Sequence, residues 1–249
     1  AGVQSGDRIT LVDGLTVDGE TLDEAVLRVR GAKGTSVVIT ILRGDAAPLN
    51  LTIIRDVITV PAVEPEMLET SDGSPVGYLR LAEFSEVAGD QFDQALREVV
   101  DAGVTRIIID LRDNPGGYLS TALQIASEFI ADGVVYIEET SDGERDETSA
   151  NGGGAATDPM IKVVVLINKG SASASEILAG ALRDRGRAVL VGETTFGKGV
   201  VQTFIDLKDG SGLKLTIAKW LTPNGTWVNK VGLAPDYPMP TPATPGEGD

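Results

Sequence analysis

Residues 161–186 read IKVVVLINKGSASASEILAGALRDRG. The opening IKVVVLIN is an unbroken aliphatic run, the pattern of a buried strand. A turn of small residues with three serines follows, and SEILAGALRDRG reads as a helix. Ser173 and Glu176 fit the S-x-x-E capping box, in which serine does no more than start a helix. The same turn stands at the carboxyl end of a strand, where open α/β sheets place their ligands. A helix start adds free N–H groups and partial positive charge, which suits an oxyanion. A serine exposed there is a candidate nucleophile, and the usual base for it is histidine. The chain contains none. Either the serines only start a helix, or another group takes the proton. Spacing alone does not choose among Ser171, Ser173 and Ser175.

Working outward, the same alternation recurs on both sides. VGYLRLAEF predicts a strand and AGDQFDQALREVVDAG a helix, with Gly103 after its end. TRIIIDLRD predicts a buried strand, YLSTALQIASEFIA a helix and GVVYIEET a strand. Strands alternating with helices of this length point to βαβ units on a parallel sheet, hence a mixed α/β fold. Residues 141–159, rich in Gly, Asp, Glu and Ser, read as a mobile loop. VVQTFIDLKDGSGLKLTIAKWLTPNG predicts hairpin strands.

Nearer the N-terminus, DRITLVDG (7–14) alternates and ends in a turn signal. ETLDEAVLRVRG (20–31) predicts a short helix with a Thr21–Glu24 capping box and Gly31 after its end. SVVITILRG and PLNLTIIRD predict two strands around a Gly-Asp turn. The organisation expected is a first unit at 1–56, an extended linker at 57–68, a main unit at 69–237 and a disordered Pro-rich tail at 238–249. AGVQSGDRITLVDG resembles the interior of a domain rather than a signal peptide, so a truncated chain is expected.

Composition narrows the chemistry. Apolar residues make up 42% and charged residues 23% of 249 residues, enough for a sizeable core. The formal net charge of −16 argues against nucleic-acid binding and against anionic membrane surfaces. No apolar run is long enough to span a membrane. The absence of Cys and His removes disulfides, thiol catalysis, thiolate metal sites and the commonest metal ligand. SDGERDET (141–148) lacks the ligand spacing of a calcium loop. No metal and no cofactor is expected.

Two further stretches carry candidate chemistry. DLRDNPGG (110–117) closes a buried strand, and its glycines can leave backbone amides uncovered; the plainer alternative is a tight turn. GETTFGKGVVQ (192–202) matches G-x-x-x-x-G-K, but Gly199 stands where a nucleotide loop needs Ser or Thr, and a strand follows where a helix is required. What remains is a lysine entering an apolar strand. Alternation places Lys198, Val200 and Gln202 on one face. Desolvation of a lysine disfavours its charged form, and a neutral amine accepts a serine proton. Gln202 is placed to hold that amine by a hydrogen bond.

GSASASEILAGAL followed by VGETTFGKGVVQT strongly resembles the C-terminal processing peptidases, or tail-specific proteases, of peptidase family S41. DLRDNPGG resembles the same family in the same order, and the resemblance spans about residues 7–237. It implies a crotonase-like ββα protease core and a serine endopeptidase. By this resemblance Ser173 is the nucleophile, Lys198 the general base and Gln202 the residue orienting the lysine. The oxyanion hole falls to the amides of Ala174 and Gly117, with Gly116 the alternative to Gly117. The stretch 213–236 is expected beside the active site, ending in a G-x-x-P-D turn at Gly232–Asp236. Trp220 and Trp227 are core or cleft-lining residues.

SGDRITLVDG with LDEAVLRVRGAKGTSVVITILR resembles the second half of a PDZ domain of bacterial proteases. Leu22, Ala25, Val26 and Val29 then face a bound peptide, the alternative being plain core packing. The resemblance implies protein substrates with apolar C-terminal tails and an extracytoplasmic location, and leaves a homo-oligomer open. The rival is a protease-like scaffold that binds peptide without cleaving it.

Overall fold

The computed structural model describes residues 2–4, 6–20, 22–44, 46–57, 61–206 and 211–240. The chain divides into two compact units, 1–60 and 61–249.

The first unit is a four-stranded antiparallel sheet with one helix. Strand β1 (Arg8–Val12) turns into β2 (Leu15–Thr16) through Asp13 and Gly14, both at positive φ (50° and 77°). Two such residues are what a two-residue hairpin turn demands. Helix α1 (Leu22–Val29) follows, then β3 (Ser36–Leu42) and β4 (Leu49–Ile54), in the sheet order β2-β1-β3-β4. Val12, Val37, Ile39 and Ile41 form a small core, and Val29 packs on it from the helix. Ala25 and Val26 are half-buried. The proposed Thr21 cap, the side chain of Leu22 and Asp45 of the Gly-Asp turn lie outside the described residues.

The second unit holds two sheets. Strands β5 (Val63–Glu69), β6 (Pro75–Leu81), β7 (Arg106–Asp110), β10 (Lys162–Ile167), β11 (Ala188–Gly192) and β14 (Tyr237–Pro238) make the larger one, in the order β14-β11-β10-β7-β6-β5. All neighbours are parallel except β5 with β6. Helices α2 (Ala88–Asp101), α3 (Leu119–Ser127) and α4 (Ala174–Asp184) are the crossovers of the pattern predicted from sequence. Their buried faces, led by Phe92, Leu96, Ile125, Ile177 and Leu178, join Leu79, Ile107, Ile109, Val165 and Leu190 in one core.

Four expectations need correction. Residues 63–68, assigned to the linker, belong to β5; a strand containing Pro65 is tolerated because it lies at the sheet edge, where a missing N–H breaks no ladder. GVVYIEET becomes β8 (Val134–Glu139), but it leaves the parallel sheet. It pairs antiparallel with β9 (Arg145–Ser149) and β13 (Gly212–Leu221) in a sheet ordered β12-β13-β8-β9, where β12 is Val200–Asp206. Strand β9 lies inside the segment expected to be a loop. Its sequence, RDETS, carries no aliphatic signal because the strand is a largely exposed edge. Pro238, assigned to the tail, is paired with Gly192 in β14; residues 241–249 lie outside the described residues.

Candidate active site

Three turns at the carboxyl ends of β7, β10 and β11 converge. The turn after β10 carries the three serines, and the structure separates them. Ser171 is buried and donates to Leu111 O (2.7 Å) while accepting from Asn168 N–H (3.0 Å). Ser175 is buried and donates to Asn114 O (2.9 Å). Both are fasteners. Ser173 is the partly exposed one; it stands at the N-cap of α4 in a capping-box arrangement with Glu176, and its hydroxyl donates to no carbonyl among the described residues. Its φ of 58° and ψ of −115° lie in a region that non-glycine residues rarely occupy. Strain of this kind, held by the surroundings, is typical of a nucleophile on a sharp strand-to-helix turn.

The surroundings that hold it are centred on Glu176. Its carboxylate is fully buried and accepts four hydrogen bonds: from Ser173 N–H (2.9 Å), Lys198 N–H (2.8 Å), Gly197 N–H (2.8 Å) and the Thr195 hydroxyl (2.5 Å). One carboxylate therefore ties the serine turn to the lysine loop after β11. The S-x-x-E pattern signalled only the bond to Ser173. Thr195 in turn accepts from Leu233 N–H (2.7 Å), which draws the Gly232–Asp236 turn against the same loop.

The carbonyls of the lysine loop are held as well. Trp220 Nε1–H donates to Lys198 O (2.9 Å), Trp227 Nε1–H to Gly199 O (2.7 Å) and Lys230 N–H to Gly197 O (2.8 Å). Trp220 is thus a core residue at 1% exposure, whereas Trp227 is 46% exposed and lines a cavity. Neither role as a brace of the lysine backbone was legible in sequence, since 20 or more residues separate donor from acceptor.

The turn after β7 supplies the third wall. Asp110 is buried and accepts from Tyr78 Oη (2.7 Å), Arg112 Nε (2.9 Å) and Arg112 N–H (2.9 Å). Burial, the largest influence on this carboxyl, pushes it up, but the bonds from Arg112 and Tyr78 together hold it below the usual carboxylate range. Tyr78 is pushed up to about 12, first by burial and then by Asp110. Buried Asn114 then bridges the turn. Its Nδ2 donates to Leu81 O (2.7 Å), its Oδ1 accepts from Gly116 N–H (2.9 Å), and its carbonyl accepts from Ala172 N–H (3.0 Å).

Gly116, at φ 99°, packs so closely that a Cβ there would lie 2.8 Å from Ser173 Cβ and 2.9 Å from Ala174 N. Among the described residues, the amides of Gly117 and Ala174 have no hydrogen-bond acceptor, whereas that of Gly116 is occupied by Asn114.

Ser173, Lys198, Gln202, Gly117, Leu119 and Lys214 line one cavity of about 240 Å3. Lys198 is half-buried, and its Nζ makes no hydrogen bond or ion pair among the described residues. Gln202 is exposed and donates to Thr216 Oγ1 (3.3 Å) rather than to the lysine.

Peptidase family S41 is matched over residues 75–239. The chain belongs to peptidase family S41. This S41 chain is 40% identical over 237 residues to the carboxyl-terminal-processing protease of Synechocystis sp., covering 95% of this chain and 55% of that protein. It is 39% identical over 246 residues to the carboxy-terminal processing protease CtpB of Bacillus subtilis, covering 97% and 50%. The solved photosystem II D1 C-terminal processing protease superposes with a TM-score of 0.69 at 34% identity, covering 96% of this chain and 64% of that one. The S41 chain spans about half the length of the curated relatives it matches. The mixed α/β architecture with several sheets agrees with that solved S41 structure. Among the described residues, no helix is long and apolar enough to cross a membrane, and no cluster of acidic side chains could hold a metal ion.

Proposed function

We propose that the protein is a serine endopeptidase of the C-terminal processing type, working through a Ser173–Lys198 dyad. The observation that carries this reading is the single carboxylate of Glu176, which fixes both Ser173 and Lys198 by their backbone amides at the rim of one cavity. Ser173 Oγ attacks the peptide carbonyl carbon, and the Lys198 amine takes the hydroxyl proton. The unoccupied amides of Ala174 and Gly117 donate to the developing oxyanion; one such donor is typically worth ~10²–10³ in rate. Lys198 then returns the proton to the leaving amine, and water hydrolyses the acyl-enzyme. Gln202 orients the lysine once substrate enters, in exchange for its bond to Thr216, in keeping with the way catalytic hydrogen bonds tighten in the substrate complex.

Substrates are proteins with apolar C-terminal tails. The first unit, a partial PDZ domain in this reading, contributes to their recognition through the α1 face of Leu22, Ala25 and Val26; Val29 serves the core. The site of action is extracytoplasmic.

The test uses the full protein and a fluorogenic peptide with an apolar C-terminus. Ser173→Ala and Lys198→Ala should each abolish cleavage, while peptide binding to Ser173→Ala, followed by fluorescence anisotropy, persists. Cleavage surviving in Ser173→Ala would overturn the assignment. Binding with no cleavage by the unsubstituted protein would favour the non-catalytic scaffold.

A further inference from the structure

Val200 is a wall of two cavities. One is the cavity of Ser173 and Lys198; the other, about 370 Å3, lies over β12, β13 and the β8–β9 turn. Strand register shows that both open on the same face. Val200 stands opposite Lys219, and Lys219 opposite Glu139, so these three side chains point the same way. Gln202, two residues beyond Val200, shares that face and meets its opposite number, Thr216.

The second cavity has a polar side at Thr140, Ser141 and Thr216 and an apolar side at Val200, Ile217, Ala218 and Trp227. Lys219 Nζ is paired with Glu139 (2.5 Å), and Arg145 takes the other oxygen of that carboxylate (2.8 Å). The ammonium sits 5.3 Å from the centroid of the Trp227 ring. The Trp227 N–H is committed to Gly199 O (2.7 Å), which leaves the half-exposed ring as contact surface. Gln202 faces Thr216 and Val201 faces Ala218, so Ile217 is the extra residue of a β-bulge, and it too lines the cavity. Bulges beside active sites re-aim a side chain. Indole, Val200, Ile217 and the stem of Lys219 thus form one side of an open space that shares Val200 with the cavity of the serine.

We propose that this cavity is a substrate subsite that takes one uncharged apolar side chain, flanking the scissile bond, of the peptide whose carbonyl is attacked by Ser173. The inference rests on the proteolytic reading of Ser173 and adds to it where selectivity is set. Trp227 is both the wall of the subsite and a brace of the lysine loop, so the test leaves it in place.

A set of fluorogenic peptides, scanned one position at a time around the cleaved bond with Leu, Asp or Lys, is assayed on the full protein. At one position Leu is expected to exceed Asp and Lys at least ~10-fold in kcat/KM. In Ile217→Glu, whose side chain is exposed and outside the core, the preference at that position alone is expected to swing toward Lys. Unchanged preferences in Ile217→Glu, or no positional preference, would overturn the subsite while leaving the enzyme intact. A second readout needs no turnover. Trp227 is exposed and Trp220 is not, so acrylamide quenching of tryptophan emission in Ser173→Ala reports the cavity. The Leu peptide is expected to reduce quenching in Ser173→Ala and not in the doubly substituted Ser173→Ala, Ile217→Glu protein. Protection without any cleavage by the unsubstituted protein would sustain the subsite and sink the proteolytic reading; cleavage without protection would do the reverse.

Discussion

At the scale of single residues, the site is fixed by groups that never touch a substrate. Glu176 is the sharpest case, because four donors converge on its two oxygens. Glu176→Gln keeps the shape but offers one acceptor oxygen and turns an amide NH2 toward other donors. The expected loss is about 3 kcal/mol of stability, measured by urea unfolding. Gly116 makes the complementary case. Gly116→Ala would press a methyl against Ser173 Cβ and the Ala174 amide. The protein is expected to fold with a penalty of about 1–2 kcal/mol for the left-handed φ and to lose about 100-fold or more in kcat, because the oxyanion donor is displaced. A folded Gly116→Ala protein with wild-type kcat would contradict the geometry. Among the three serines the choice follows from partners: Ser171 and Ser175 are committed to carbonyls, and Ser173 is not.

At the scale of elements, the turn after β7 depends on the Asp110 cluster. The Asp110 carboxyl lies below its ordinary value, so its ionised form is the one the fold favours. Its contribution is present above the ordinary carboxylate pKa of about 3.9 and is lost as pH falls through the lowered value. Asp110→Asn is expected to cost about 3 kcal/mol at neutral pH, because Arg112 and Tyr78 lose a buried charged partner. The gap to the unsubstituted protein should close as unfolding is measured at progressively lower pH below about 4. A gap independent of pH would mean that the charge on Asp110 is not what matters. Helices α3 and α4 and strands β7 and β10 were readable because their apolar periods are strong. Strands β5 and β9 were not, since edge strands need no apolar alternation to be held by backbone pairing.

At the scale of the molecule, the two units differ in how much core they own. Among the described residues, the first buries four aliphatic side chains fully, while the second has one extended cluster between its helices and one face of its larger sheet. Both tryptophans belong to the second unit. Urea unfolding followed by tryptophan fluorescence is therefore expected to report the second unit alone. Far-UV circular dichroism should begin to change at lower denaturant as the first unit melts. Coincident curves would show a single cooperative structure.

The sequence by itself determined the βαβ pattern, which is written in aliphatic period, and carried the motifs whose family resemblance names Ser173, Lys198, Gln202, Gly117 and Ala174 as candidates. Spacing without that resemblance could not rank the three serines, or show which of the Gly116 and Gly117 amides is free, or that Glu176 and two indoles hold the lysine loop. Those depend on which donor meets which acceptor across 21 to 61 residues of chain. Only the packing of three turns at one end of a parallel sheet brings such partners within hydrogen-bond reach.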